Sequence, residues 1–209
     1  MRKIIFNALL IVCLLTTTSH AADEKKVNST NTFTSSTAGF SITKPPAWFF
    51  GTMEQVTASR ASIRLKDEEL EQQVREANSP LVVILKHKEP YEGLNPSVQV
   101  LLRPLGQLEG EPAVEVMNII IPTVKRAMPD FTIVEPIKET TVNGRKAAYM
   151  KSKYTVKNAE GGEFPVLSRL WVIPRGNLVF MVSMLSPQEG PDVSETEFAE
   201  VLRSIRIEK

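Results

Sequence analysis

Residues 178–185 are apolar at almost every position, and this constrains the fold more than any other stretch of the chain. In an extended strand, Leu178, Phe180, Val182 and Met184 point to one face, while Val179, Met181 and Leu185 point to the other. A strand that is apolar on both faces has to be covered on both. The chain is therefore expected to build a sheet between two outer layers. Turn chemistry makes that sheet antiparallel. Asn143-Gly144 divides residues 140–156 into a hairpin, because both residues tolerate positive φ. Arg175-Gly176-Asn177 closes a tight turn between residues 164–173 and 178–185.

The rest of the chain supplies strands and covering helices. Phe40 and Ile42 alternate with Ser41 and Thr43 in a strand that must stop at Pro45-Pro46, where two backbone donors are missing. Residues 81–85 and the alternating Val98, Val100 and Leu102 read as a hairpin with a wide turn, and residues 131–134 as a short strand. Leu65, Leu70, Val74 and Ala77 punctuate a charged stretch, residues 66–76, at helical spacing. Ala113, Val116, Met117, Ile120, Ile121, Val124 and Met128 recur at three and four residues, predicting an amphipathic helix that Pro122 kinks or splits. Ser194 and Glu197 have capping-box spacing before a last helix carrying Phe198, Val201, Leu202 and Ile205. The expected architecture is α+β, an antiparallel sheet sandwiched between helices (α/β/α) in a single domain.

The N-terminus reads as an export signal. Arg2 and Lys3 precede a short apolar core over residues 4–15, and Ser19-His20-Ala21 matches a small-x-small cleavage site. That core falls short of the ~20 residues a membrane-spanning helix needs. The expected division is a signal peptide over 1–21, a flexible lead-in over 22–38, rich in Ser, Thr, Asn and charge, and a folded domain over 39–209. Cleavage removes Arg2 and Lys3 and no acid, which turns the formal net charge of +1 into −1. Such a balance leaves no electrostatic footprint for nucleic acid. The implied location is periplasmic or secreted, with no integral membrane segment after processing.

Processing also removes chemistry. The only cysteine, Cys13, and one of the two histidines, His20, fall in the signal, leaving His87 as the single imidazole. Zinc needs three or four suitable ligands, and the usual suppliers are missing. No Gly-x-Ser-x-Gly or Gly-x-x-x-x-Gly-Lys pattern occurs. His87, beside Lys86 and Lys88, is expected to be a solvated strand-end group. No catalytic residue, metal site or cofactor is expected. Two acids meeting across a cleft could still support hydrolysis, and an apolar cavity could still carry a small ligand.

Gly39-Phe40-Ser41-Ile42 with the following prolines and Trp48, then Val142-Asn143-Gly144 with Ala147-Ala148, then Phe198 with Leu202-Arg203-Ser204-Ile205, together resemble the PsbP-like superfamily. That resemblance spans residues 39–207 and implies a non-enzymatic protein that binds other proteins or stabilises assemblies, here another envelope or secreted protein. It carries no catalytic residues to this chain. Asn95-Pro96-Ser97-Val98 also looks like the family, without an assignable role.

Two places could meet a partner. Trp48, Phe49 and Phe50 cannot all face inward on a regular strand. Either Trp48 and Phe50 bury while Phe49 fills a gap, or at least one ring is an exposed partner contact. Tyr149 shares a strand face with Arg145, Lys151 and Lys153, opposite Ala148, Met150 and Tyr154. That face is either plainly solvated or a basic, aromatic surface for an anionic partner. The candidate partner-binding residues are thus Trp48, Phe49, Phe50, Tyr149 and Lys151.

Overall fold

The computed structural model describes residues 31–208 apart from 66–67, 69–70, 73–78 and 129. The signal segment 1–21, residues 22–30 of the lead-in and most of the helix expected over 66–76 lie outside the described residues.

In chain order the strands are β1 (Thr32–Ser35), β2 (Phe40–Thr43), β3 (Phe49–Phe50), β4 (Ile63–Arg64), β5 (Val82–Leu85), β6 (Ser97–Pro104), β7 (Thr132–Val142), β8 (Arg145–Asn158), β9 (Glu163–Arg175), β10 (Leu178–Pro187) and β11 (Arg206–Ile207). The described helices are α1 (Met53–Ser62), α2 (Ala113–Ala127) and α3 (Glu195–Ser204). The main sheet runs β3-β5-β6-β10-β9-β8-β4, with β7 also paired to β8, and a smaller sheet runs β1-β2-β11. All pairings are antiparallel.

β10 occupies the middle of the main sheet, and its two apolar faces are both covered. Phe180, Val182 and Met184 join Ile173, Trp171, Val98 and Val100 in a core closed by Phe40 and Ile42 of the small sheet, by Phe198 and Val201 of α3, and by Ile205 just after it. Val179 and Met181 join Val172, Leu170, Ala148 and Met150 beneath Val116, Met117, Ile120 and Ile121 of α2. The α/β/α expectation holds because period-2 burial in the strands meets period-3.6 stripes in the helices.

Several local expectations need correction. Thr32–Ser35 is not flexible lead-in: β1 pairs with β2, Phe33 packs against the core, and Asn31 O accepts from Lys44 N at 2.8 Å. One aromatic among hydroxyls gives little alternation, so the edge of β2 decides that strand. Gly39 then turns the chain at φ +54, where a Cβ would lie 2.7 Å from Arg175 Nη1. Residues 131–134 are no separate strand. β7 is continuous to Val142, with register shifts around residues 133–138, and Pro136 is tolerated because β7 is an edge strand. Asn143 and Gly144 take φ 51 and 73 as their turn requires.

Pro122 does not divide α2. Pro122 and Asn118, whose carbonyl loses its donor, are both exposed, so water can replace the missing bond. α1 carries little apolar periodicity, with Val56 on Val83 and Leu85 as its small core. Its legible signal is the Thr52/Gln55 capping box: Gln55 N donates to Thr52 Oγ1 at 3.2 Å, and Thr52 N to Gln55 Oε1 at 2.7 Å.

Candidate functional site

The aromatic run is sorted by the strand it enters. After the prolines, Trp48 N donates to Pro45 O at 3.0 Å, and the indole turns inward, 3% exposed and edge-on to Phe198 at 5.7 Å. Phe49 pairs with Leu85 and is 42% exposed. Phe50 pairs with Ile84 and is half-buried, with Lys44 Nζ 5.6 Å from its ring. Met53, the first residue of α1, is 46% exposed. Trp48 is therefore core and not a surface contact, and Phe49 is the ring the edge presents.

Tyr149 and Lys151 lie on β8, at the far side of the main sheet from β3. The fold does not bring them together with the aromatic run. Tyr149 is half-buried against Trp171, ring centroids 4.8 Å apart, so its face is not plainly solvated. Nor is that face free basic surface. Lys151 Nζ lies 3.0 Å from Glu195 and 3.9 Å from Glu135, while Arg145 donates to Glu208 O.

The Lys151–Glu195 contact belongs to a polar network around the start of α3. Arg169, 2% exposed, binds Glu195 through Nε at 3.0 Å and through Nη2, reaches Ser186 Oγ at 3.2 Å, and stands 5.1 Å from the Phe198 ring. Lys86 Nζ contacts Asp192 and Glu197, each at 3.2 Å, and Ser194 Oγ at 3.0 Å. The expected Ser194 capping box is absent. Ser194 sits at φ 60 without a side-chain cap, its hydroxyl donating to Asp192 O, while Glu197 turns to Lys86.

His87 is likewise not a solvated strand end. Nε2 is 3.1 Å from both Asp192 oxygens, the ring stacks on Tyr91 at 4.3 Å, and Tyr91 OH donates to Asp192 at 2.8 Å. Asn95, fully buried, organises this loop: its Oδ1 accepts from His87 N at 3.0 Å, and Nδ2 donates to His87 O at 2.9 Å and Glu89 Oε1 at 2.8 Å. The segment Asn95-Pro96-Ser97-Val98 thereby acquires a structural role.

Burial raises the Asp192 carboxyl pKa, but hydrogen bonds from Tyr91, His87 and Lys86 outweigh it and hold the group below its usual value. Burial opposed by Arg169 and Lys151 gives Glu195 the same net direction. Glu135 is lowered chiefly by its bond from Lys138. Tyr149 is pushed up to about 12, first by burial and then by the Glu135 charge, so its hydroxyl stays protonated.

A carboxylate depressed in the folded state stabilises above its unfolded pKa, and that contribution disappears as pH falls through the folded value. Asp192→Asn is expected to lose less stability than the unsubstituted protein between pH 6 and pH 3. Urea midpoints at the two pH values measure this. Equal losses would show that Asp192 contributes no acid sensitivity.

Among the described residues, no three His, Cys, Asp or Glu side chains are grouped to hold a metal ion, and no helix is long and apolar enough to cross a membrane. Two clefts open to solvent: one of about 580 Å³ bordered by Arg64, Met128, Asp130 and Lys157, and one of about 980 Å³ between Pro112 and Lys146.

No family model and no curated protein matches the sequence. Solved structures do. The cyanobacterial PsbP of Synechocystis is 12% identical with a TM-score of 0.53, covering 90% of this chain and 98% of that one. The Ran-binding protein Mog1p of Saccharomyces cerevisiae is 12% identical with a TM-score of 0.48, covering 84% and 94%. A Bacteroides thetaiotaomicron protein is 14% identical with a TM-score of 0.48, covering 87% of this chain but 50% of that longer one. The Synechocystis match, with both chains covered nearly end to end, carries the assignment: this chain has a PsbP-like fold.

Proposed function

We propose that this chain is a non-enzymatic binding or assembly protein, exported to the periplasm or beyond, that meets a protein partner through the β3 edge. The observation that carries this reading is the exposure of Phe49 and Met53, four residues apart where the sheet ends. Large apolar groups grouped at a surface favour partner contact. The protein-binding role is also what the PsbP-like resemblance implies.

The network chemistry agrees with it. A hydrolase built on paired carboxylates needs one acid held above its usual pKa, whereas Asp192, Glu195 and Glu135 are all lowered. His87 faces Asp192, and among the described residues no serine hydroxyl bonds its ring. A ligand carrier needs an enclosed apolar cavity, whereas the clefts of about 580 and 980 Å³ among the described residues are open with charged borders.

Phe49→Ala tests the reading. Desolvating one such ring contributes about 1.5–3 kcal/mol, so partner capture from the native envelope should weaken roughly tenfold or more. The unfolding free energy should change by less than about 1 kcal/mol, because the ring is exposed in the free protein. Unchanged capture, or loss of the fold, would remove Phe49 from the contact.

A further inference from the structure

We propose that Tyr149 and Glu135 form a seat for a lysine or arginine side chain of a basic partner protein, a seat that the chain's own Lys138 fills in the free molecule. This inference is independent of Phe49, which lies at the other side of the sheet.

Lys138 Nζ stands 4.9 Å from the Tyr149 ring centroid and 2.9 Å from Glu135 Oε2. A cation over an aromatic face beside a carboxylate satisfies both groups at once. Tyr149 OH reaches Glu135 Oε1 at 3.4 Å, and Trp171 supports the ring from within the core. The internal lysine thus displays the chemistry the seat accepts.

The surrounding charges differ in how firmly they are held. The Arg169 side chain is 3% exposed and fixes Glu195, and Lys151, 18% exposed, is held between Glu195 and Glu135. Lys138 and Glu135 are 56% and 38% exposed and pair three residues apart on an edge strand. Exposed pairs of this kind contribute little, so an incoming cation displaces Lys138 at small cost. The frame stays and one cation exchanges.

Lys138 and Glu135 are both substantially exposed, so the seat opens to solvent. A free small cation there remains in water, whereas a partner's surface desolvates the ring and carboxylate together and strengthens both contacts. That favours a protein-borne cation.

The test compares unsubstituted protein with Lys138→Ala, following the Tyr149 and Trp171 ring resonances by NMR during titration with Nα-acetyl-lysine amide, tetramethylammonium and a lysine-rich decapeptide. Lys138→Ala should bind the lysine probe about two- to fivefold more tightly, the factor set by loss of one exposed pair. Adding Glu135→Gln, which keeps side-chain size, or Tyr149→Leu should abolish the gain, and the decapeptide should bind more tightly than tetramethylammonium. The proposal is overturned if Lys138→Ala gives no gain, or if Nα-acetyl-norleucine amide binds as well as the lysine probe. Preference for Nα-acetyl-glutamate amide overturns it in favour of an anionic partner. A decapeptide no tighter than tetramethylammonium overturns the protein-borne source.

Discussion

Trp48→Ala is expected to destabilise the protein by about 3–5 kcal/mol, the range for removing a large aromatic from a packed core. The indole is 3% exposed, meets Phe198 of α3 edge-on, and belongs to the core joining both sheets to α3. Deleting it opens a void at the junction of three elements, where none can collapse without dragging the others. For a chain of this size the loss corresponds to a fall in melting temperature of roughly 10 °C. Trp48→Phe should recover part of it by refilling part of the volume. Urea unfolding at neutral pH is the measurement, and a loss below about 1 kcal/mol would mean that the ring does not bear on the core. The adjacent Phe49→Ala acts as the internal control, since it removes a ring that is 42% exposed rather than buried.

Asn95→Ala should destabilise by about 2–4 kcal/mol. Asn95 is fully buried and makes three hydrogen bonds that close the loop between β5 and β6. Each bond contributes about 0.5–1.5 kcal/mol, and removing the amide also leaves the His87 amide and carbonyl without this partner. The damage should spread, because the same loop presents Lys86, His87 and Tyr91 to Asp192. Hydrogen exchange should therefore rise over residues 86–95 and 189–197 together. A rise confined to the first segment would show that the two loops are held independently. Asn95→Asp is a sharper variant: it keeps the shape and the acceptor for His87 N, but sets a carboxylate against His87 O and Glu89.

Much of the fold was legible because it is written in short-range rules. The alternation at residues 178–185 required cover on both faces, and α2, α3 and the small sheet supply it. Asn143-Gly144 announced its turn through a conformational requirement of two residues. Where such signals were thin, the reading failed. Phe33 is the one large apolar residue in β1, and α1 buries Val56 but also Ser59 and Arg60, a mixture without a clear stripe. Ser194 shows the opposite error. Its spacing to Glu197 satisfies a local rule, yet Lys86, 108 positions from Ser194, offers both residues a better partner.

The sequence by itself determined the class of architecture and which stretches would pair through tight turns. These depend on periodicity and on φ preferences that act over a few residues. Only the tertiary structure decided which charges neutralise one another. Tyr149 and Lys151 read as a basic face because their strand carries Arg145 and Lys153, but Glu135 and Glu195, 14 and 44 residues away from them, supply the opposite charge. A side chain's Coulomb partner is set by distance in space, and no spacing along the chain encodes it. The same holds for the separation of Phe49 from Tyr149: both are strand aromatics, and strand order alone places them at opposite sides of one sheet.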